Sequence, residues 1–351
     1  MTRVLSGIQP SGDLHLGNYL GAIRRWAEQQ GRQDAYYMLA DLHAITVPYD
    51  PQELRARTLE VATVLVAAGL DPGRVTLFVQ SHVHEHTELA WILTCLATMG
   101  ELGRMVQFKE KSGHERESAS AGLFVYPVLQ AADILLYQAD EVPVGEDQRQ
   151  HVELTRDLAQ RFNHRFGKVF TVPKVTTPKA GARIMDLQLV DKKMSKSLDS
   201  PRGIIYLLDS PAAIGKKIRA AVTDSGSEVR AGPDKPGITN LLELFCAVTG
   251  DDIPTLERRF DGRGYGEFKS ELADAVVAFL RPLQERYEEL AAAPQIALGH
   301  LAHGAEKAGA AASATLAAVK EAVGLLAPSA TAVRRPAPEV EGSPDTTSPA
   351  W

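Results

Sequence analysis

Cysteine is scarce in this sequence: Cys95 and Cys246 are the only two among 351 residues. Two cysteines so far apart exclude a zinc site built from cysteine alone, a four-cysteine iron–sulfur centre and a disulfide framework, and they favour a cytoplasmic protein. No run of about 18 apolar residues is present, so no membrane span is predicted. Residues 1–7 have neither the basic start nor the apolar core of a secretory signal, so we expect no secretion.

The sequence also lacks two common nucleotide-binding fingerprints, G-x-G-x-x-G and G-x-x-x-x-G-K-S/T. Its formal net charge of −6 does not point to nucleic acid, but it leaves such binding open because phosphate contacts need only a local basic patch. The composition is otherwise that of an ordinary globular protein, with 44% hydrophobic and 23% charged residues. A chain of this length can bury a full core and is expected to divide into two domains.

Short apolar or β-branched runs alternate with longer helical stretches through the first half of the chain. This alternation predicts an α/β fold, a Rossmann-like parallel sheet with helices on both faces, followed by a mainly helical half. We predict a nucleotide-binding domain over residues 1–200, a helical domain over 201–326 and a disordered tail over 327–351. The predicted strands are residues 4–5, 35–39, 75–79 and 142–144, and the predicted helices are residues 17–30, 51–69, 148–166, 211–222, 238–248, 268–290 and 291–326.

Residues 2–21 carry the clearest sign of a ligand site. A short strand at Val4 and Leu5 is followed by a turn rich in Gly, Pro and Ser, and then by a helix that begins at about Gly17. Such a turn exposes backbone N–H groups, and the positive end of the helix dipole points to the same place, so the arrangement favours an anion. Many parallel sheets open this way, and the H-L-G-N core at residues 15–18 makes the signal more specific.

Three histidines at alternate positions, His82, His84 and His86, invite a metal-site interpretation. Alternate residues point to one ligand only when they lie on a strand, and no further cluster of ligand types supports them. We therefore favour the alternative, a polar loop with a helix beginning near Thr87. No metal site is predicted in the protein.

A carboxylate interrupts the apolar segment at residues 126–137, Y-P-V-L-Q-A-A-D-I-L-L-Y. Pro127 fits the first turn of a helix, which places Tyr126, Gln130 and Asp133 on one face. An unpaired buried carboxylate is costly or shifts its pKa, so Asp133 needs a hydrogen-bond donor. That donor is either structural, a backbone N–H or an arginine, or it arrives with a substrate.

Two further stretches have the composition of a nucleotide site. Residues 145–148, G-E-D-Q, follow a short strand, and open α/β sheets place ligands at the carboxyl ends of strands. The alternative for the aspartate is an ordinary helix cap. Residues 193–197, K-M-S-K-S, interleave lysine with serine, so they form a loop of hydrogen-bond donors that can close over a polyphosphate and neutralise charge in a transition state.

Taken together, these strings resemble the class I aminoacyl-tRNA synthetases, and in particular the bacterial tryptophanyl-tRNA synthetase family, from about Val4 to Gly324. H-L-G-N resembles the H-I-G-H signature of that class, and K-M-S-K-S is matched at every position. The other matching strings are S-G-I-Q-P-S-G, D-L-H-A-I-T-V, Q-F-K-E-K-S, A-A-D-I-L-L-Y, V-P-V-G-E-D-Q, G-A-R-I-M, A-V-T-D-S and G-Y-G-E-F-K. The resemblance implies a homodimer that activates tryptophan with Mg·ATP and then esterifies the terminal adenosine of tRNA(Trp).

The resemblance also implies roles for individual residues. Asp133 would accept the indole N–H, Tyr126 and Gln148 would hold the α-amino group, and the rest of the tryptophan pocket would be Leu5, His43, Gln130, Val142 and Val144. The ATP-binding residues would be Gln9, Pro10, Ser11, Gly17, Asn18, Gly145, Glu146, Asp147, Ile184, Lys193, Met194, Ser195, Lys196 and Ser197. The residues with catalytic roles would be His15, Asn18, Lys111, Lys193 and Lys196.

Two positions depart from the family pattern. Gln130 replaces the usual Met and Leu5 the usual Phe, both beside the indole, which predicts altered tolerance for ring-substituted tryptophans.

Two basic stretches also have a simpler interpretation. For Lys111 the alternative to a phosphate contact is a solvated loop. For the basic cluster at 216–219 the alternative to a tRNA contact is a solvated helix face.

Three functional alternatives stay open at this stage. The nearest is tyrosyl-tRNA synthetase-like specificity, because that family has the same architecture. The second is a paralogue that binds tryptophan or tRNA without aminoacylation. The third, an ordinary nucleotidyltransferase, is disfavoured by the long helical half and by Asp133.

Overall fold

The computed structural model describes residues 1–105, 120–176, 184–195 and 201–327. Its central feature is a five-stranded sheet in the order β3-β2-β1-β4-β5, in which every neighbouring pair is parallel. The predicted α/β class with a parallel sheet is therefore confirmed. The strands are β1 Arg3–Ile8, β2 Asp34–Leu39, β3 Thr76–Val79, β4 Glu141–Pro143 and β5 Lys174–Thr176.

The predicted helices are observed to within a few residues at most ends, and three short helices were not predicted. The first, α1, has three consecutive parts, Leu16–Asn18, Tyr19–Ile23 with a π-helical pitch, and Arg24–Gln29. The others are α2 Asp41–Ala44, α3 Pro51–Ala67, α4 Glu85–Thr94, α5 Met99–Gly103, α6 Ala121–Leu136, α7 Arg149–Phe166, α8 Pro211–Arg219, α9 Pro236–Thr249, α10 Ile253–Arg259, α11 Gly264–Ala291 and α12 Pro294–Ala322.

Helix α6 begins earlier than predicted, so the placement of Pro127 in a first turn was wrong. Its N-cap is Ser120, whose hydroxyl accepts a hydrogen bond from the Leu123 N–H at 3.1 Å. Proline lacks an N–H and is unfavourable inside helices, which is why it suggested a helix start. Here it lies within an otherwise buried helix, where tertiary packing outweighs that local cost.

The strand order identifies one edge of the sheet, the one formed by the carboxyl ends of its strands, as the place where a ligand binds. From β1 the chain moves outward to β2 and β3, and later returns to the other side of β1 through β4 and β5. In such sheets ligands bind where the strand order reverses, outside the carboxyl ends of the two central strands. Residues 9–18 leave β1 at that edge, and residues 144–148 leave β4 there.

The second half is helical, and its last helix returns to the sheet. Helix α11 packs against α8 and α9, whereas α12 runs along β3. A Cβ on Gly304 of α12 would lie 1.8 Å from the Leu77 carbonyl oxygen, so only glycine allows this approach. The domain boundaries at 200 and 326 stay predictions, and residues 328–351 of the predicted tail lie outside the described residues. No helix in the described part of the chain is long and apolar enough to cross a membrane.

Candidate active site

The turn after β1 is closed by a reciprocal pair of hydrogen bonds between His15 and Asn18. The His15 N–H donates to Asn18 Oδ1 at 3.1 Å, and the Asn18 N–H donates to His15 Nδ1 at 3.3 Å. This is a capping box that satisfies two backbone donors at the helix start. A neutral imidazole that accepts at Nδ1 carries its proton on Nε2, so the pair fixes the tautomer of His15.

Gly17 lets Met194, from the described part of the K-M-S-K-S stretch, pack against this turn. A Cβ at residue 17 would lie 3.0 Å from His15 Nδ1 and 3.6 Å from the Cβ of Met194. Met194 is buried, and its N–H donates to the Ile184 carbonyl oxygen at 3.1 Å, while Lys193 beside it is exposed. The sequence motifs at residues 15–18 and 193–195 therefore form one surface, called here the His15 face (His15, Gly17, Asn18, Lys193 and Met194).

The loop after β4 adds polar groups at the same edge of the sheet. Gly145 and Asp147 are exposed, and a Cβ on Gly145 would lie 2.6 Å from Asp147 Oδ1. The N-cap of α7 is Gln148, so Asp147 is not the cap of that helix. Gln148 Nε2 donates to Asp147 Oδ2 at 2.8 Å. Of the residues after β1, Gln9 and Ser11 are exposed and Pro10 is buried.

Asp133 lies at a buried corner with three side-chain donors on its carboxylate. His43 Nε2 is 2.7 Å from Oδ2, while Gln80 Nε2 and His86 Nδ1 are 2.7 and 2.6 Å from Oδ1. Burial alone would raise the pKa of Asp133, but the two imidazoles outweigh it and lower the pKa to about 2. Asp133 therefore has structural donors of its own, the alternative that the sequence analysis left open, but they are an amide and two histidines and not a backbone N–H or an arginine.

His86 is the residue that sequence reasoning misplaced most. It is fully buried in α4, and its Nε2 lies 2.7 Å from the Tyr137 hydroxyl, so the prediction of a polar loop was wrong for this histidine. His82 and His84 are exposed. A signal was available, because residues 86, 89 and 93 share one helix face at i, i+3 and i+7 and all three are buried. The name Asp133 corner is used below for Asp133, His43, Gln80, His86 and Tyr137.

A second hydrogen-bonded chain joins the residues expected to hold an amino acid to the loop after β4. The Tyr126 hydroxyl is 2.9 Å from His151 Nε2, and His151 Nδ1 is 3.0 Å from Gln148 Oε1. Gln130 Nε2 approaches the same Gln148 oxygen at 3.5 Å, the limit of a hydrogen bond. His151 is buried and was not predicted as a site residue. Leu5 and Val142 are also buried, and Val144 is half-buried.

Several predicted residues add nothing to this geometry. Lys111, Lys196 and Ser197 lie outside the described residues, and so does the side chain of Glu146. In the basic cluster, Lys216 and Arg219 are exposed, and Lys217 bonds to Asp209 at 2.6 Å. Within the described ranges, no group of three or more His, Cys, Asp or Glu side chains is arranged to hold a metal ion.

Comparison with known proteins identifies the family to which this chain belongs. Residues 1–281 match the family model of the class I tRNA synthetases, W and Y. The chain is 57% identical to tryptophan–tRNA ligase 2 of Streptomyces avermitilis, over 92% of this chain and 97% of the relative. The tryptophanyl-tRNA synthetase structure from Mycoplasma pneumoniae has a TM-score of 0.83 at 40% identity, covering 93% of this chain and 98% of that one. The Campylobacter jejuni enzyme, solved with ADP and tryptophan, has a TM-score of 0.83 at 36% identity, covering 92% and 100%. This chain belongs to the class I tRNA synthetases of the W and Y group.

Proposed function

We propose that this protein activates L-tryptophan with ATP, releasing pyrophosphate, and transfers the activated tryptophan to tRNA(Trp). The observation that carries the proposal is the buried, ionised carboxylate of Asp133. Two oxygens offer about four lone-pair positions. Three accept from His43, Gln80 and His86, so Oδ2 keeps capacity for one further N–H donor. An indole N–H is a donor with no acceptor character, which suits that position.

The amino-acid end extends from Asp133 toward the nucleotide end. Tyr126 and Gln148 hold the α-amino group, and His151 between them keeps both side chains in place. His43 lies beside the indole, and the rest of the pocket is Leu5, Gln130, Val142 and Val144. The relatives named as tryptophan–tRNA ligases, and the related enzyme solved with ADP and tryptophan, support this assignment.

ATP lies along the His15 face with its phosphates toward the lysines. Gly145, Glu146 and Asp147 meet the ribose, Ile184 meets the adenine, and the phosphates lie near Gln9, Pro10, Ser11, Gly17 and Asn18. Lys193, Met194 and Ser195, with Lys196, Ser197 and Lys111 from outside the described residues, act on the leaving pyrophosphate. Mg²⁺ brought in with ATP would supply positive charge at the phosphates.

The first chemical step needs no general base. The tryptophan carboxylate is already ionised at neutral pH, so its oxygen attacks the α-phosphorus directly while the bond to pyrophosphate breaks. Catalysis then depends on holding the reactants in line and on donors that bind the phosphates more tightly as charge develops on the leaving group. Among the described residues, we assign this role to Lys193 and His15.

The remaining partners follow from the family and from two surface features. Large apolar side chains are exposed on α4 and α5, with Trp91 at 70% and Met99 at 75%, and a homodimer would cover them. The helical half supplies the tRNA-binding surface, where Lys216 and Arg219 are available to phosphates. Both cysteines are free thiols, as expected of a protein in the reducing cytoplasm.

Pyrophosphate exchange with tryptophan, tyrosine and phenylalanine tests the proposal directly. The wild type should use tryptophan, and Asp133→Ala should lower the tryptophan-to-phenylalanine preference at least 100-fold, since sites built around a substrate donor reject its absence by up to about 10⁴–10⁵-fold. Asp157→Ala, which removes an exposed aspartate of α7, is the matched control and should change nothing.

Each other outcome of that assay has a definite meaning. An unchanged preference in Asp133→Ala overturns the role given to Asp133. Exchange with tyrosine rather than tryptophan selects the tyrosyl alternative, and exchange with no amino acid selects the paralogue that does not aminoacylate.

A further inference from the structure

The two donors on Asp133 Oδ1 are themselves held in place by further hydrogen bonds. Gln80 is fully buried, and its Oε1 accepts from the Leu42 N–H at 3.1 Å. An amide whose oxygen is bonded in this way must present its NH₂ group on the other side, which is where Asp133 Oδ1 lies at 2.7 Å. The backbone at the start of α2 therefore sets the orientation of the Gln80 side chain.

His86 is held in one tautomer by its two partners. The ionised Asp133 carboxylate can only accept, so Nδ1 of His86 must donate to it, and Nε2 of the neutral ring then accepts from the Tyr137 hydroxyl at 2.7 Å. The proton of a neutral His86 is then on Nδ1, which donates to Asp133 Oδ1 at 2.6 Å. The ring of Phe78 packs beside the imidazole, with the ring centroids 6.0 Å apart and an interplanar angle of 30°.

These two donors determine which carboxylate oxygen is left for a substrate. Together they occupy Oδ1, so further bonding capacity remains only on Oδ2, where His43 already donates once. His43 contributes most to keeping the buried carboxylate ionised, and His86 adds to it, since both imidazoles lower the pKa of Asp133. Without Gln80 and His86, Oδ1 would lose both of its donors and the carboxylate could rotate, so that Oδ2 would no longer be held in one position.

We propose that Gln80 and His86 are positioning residues for amino-acid selection, acting through Asp133 without touching the substrate, with Tyr137 holding His86 in place. This inference rests on the proposed function, in which Asp133 accepts the indole N–H. It identifies the chemical feature that the corner selects: an N–H in the ring, as opposed to ring size or shape. A tryptophan analogue with sulfur in place of the ring N–H, 3-benzothienylalanine, keeps the size and lacks the donor.

The test compares tryptophan with 3-benzothienylalanine in pyrophosphate exchange. His86→Leu and Gln80→Met should each raise the KM for tryptophan at least 10-fold while changing kcat/KM for the sulfur analogue less than twofold. The ratio of the two specificity constants should therefore fall at least 10-fold, with the KM for ATP unchanged. His84→Leu removes an exposed histidine two residues away and should leave every value unchanged.

Two milder variants keep the proposal testable if a buried substitution prevents folding. His86→Asn places an amide N–H near the position of Nδ1 and should recover most of the ratio. Tyr137→Phe removes only the hydroxyl that donates to His86 Nε2 and should lower the ratio severalfold. Equal losses for tryptophan and the analogue in all variants, or no loss in any, would overturn the proposal and leave only a packing role.

The result also separates this inference from the proposed function. If the wild type itself does not distinguish tryptophan from the sulfur analogue, the role given to Asp133 fails. If the wild type distinguishes them and the Gln80 and His86 variants do so equally well, only the positioning role fails.

Discussion

The Asp133 corner and the His15 face lie at the same edge of the sheet, but they are held by different kinds of contact. The corner consists of buried side chains bonded to one another, with Asp133 at 1% exposure. The face consists of a helix start closed by its own capping box, a glycine that allows close packing and an exposed lysine that supplies a donor. The first arrangement fixes a charge before any substrate arrives, whereas the second offers donors to a charge that comes with the substrate.

This difference suits the two tasks in the proposed reaction. Selection of an amino acid requires an acceptor whose position and charge do not change, and burial strengthens its interaction with a donor. Phosphoryl transfer requires donors that bind more tightly as charge moves toward the leaving group. We therefore expect changes at the face to affect turnover and ATP, and changes at the corner to affect the choice of amino acid.

The largest effect at the nucleotide end is expected from Lys196→Ala. Removing one transition-state donor typically costs about 2.7–4 kcal/mol, so kcat for pyrophosphate exchange should fall about 100-fold or more. The KM for tryptophan should change less than twofold, since Lys196 is assigned to pyrophosphate. Lys192→Ala removes an exposed lysine just outside K-M-S-K-S and serves as the matched control. Near-normal turnover in Lys196→Ala contradicts the assignment, and a large rise in the KM for tryptophan contradicts the separation of the two ends.

A smaller effect is expected from Gly17→Ala, which tests whether the face depends on close packing. The new Cβ would lie 3.0 Å from His15 Nδ1, so the imidazole must shift and its bond to the Asn18 N–H weakens. We expect kcat/KM for ATP to fall about fivefold to tenfold, since a lost cap costs about 1 kcal/mol. Gly21→Ala is the control, because nothing lies within 4 Å of the added Cβ. Equal behaviour of the two variants in ATP titrations contradicts the role of Gly17.

The same two regions also differ in how far they could be predicted from sequence. The turn at the centre of the face depends on two neighbours in the chain, His15 and Asn18, so a local pattern was enough to predict a turn and a helix start there. The corner depends on pairs far apart in sequence: Gln80 and Asp133 are 53 residues apart, and His43 and Asp133 are 90 apart. One sequence shows that Asp133 needs a donor, but it does not show which distant side chain supplies it.

The fold was predicted best where periodicity is long, as in α3, α7 and α11. It was missed where packing overrides a local preference or where an element is short. Pro127 lies inside α6 because that helix is buried on almost every side, and β5 has only three residues. His151 was missed for a related reason, since an imidazole on an apolar helix face is usually a core residue and nothing local indicates its partners.

The smallest effect is expected from Gln130→Met, which restores the usual residue of the family. Gln130 Nε2 lies 3.5 Å from Gln148 Oε1, a contact too long to contribute much, and the side chain is only half-buried. We expect kcat/KM for tryptophan to change less than about threefold, corresponding to well under 1 kcal/mol. Gln160→Met, on the exposed side of α7, is the matched control. Exchange kinetics with tryptophan and a series of ring-substituted tryptophans would measure this. A 10-fold change for tryptophan itself would mean that the amide orients Gln148, and that selectivity extends beyond the Asp133 corner into the chain of residues joining Tyr126 to Asp147.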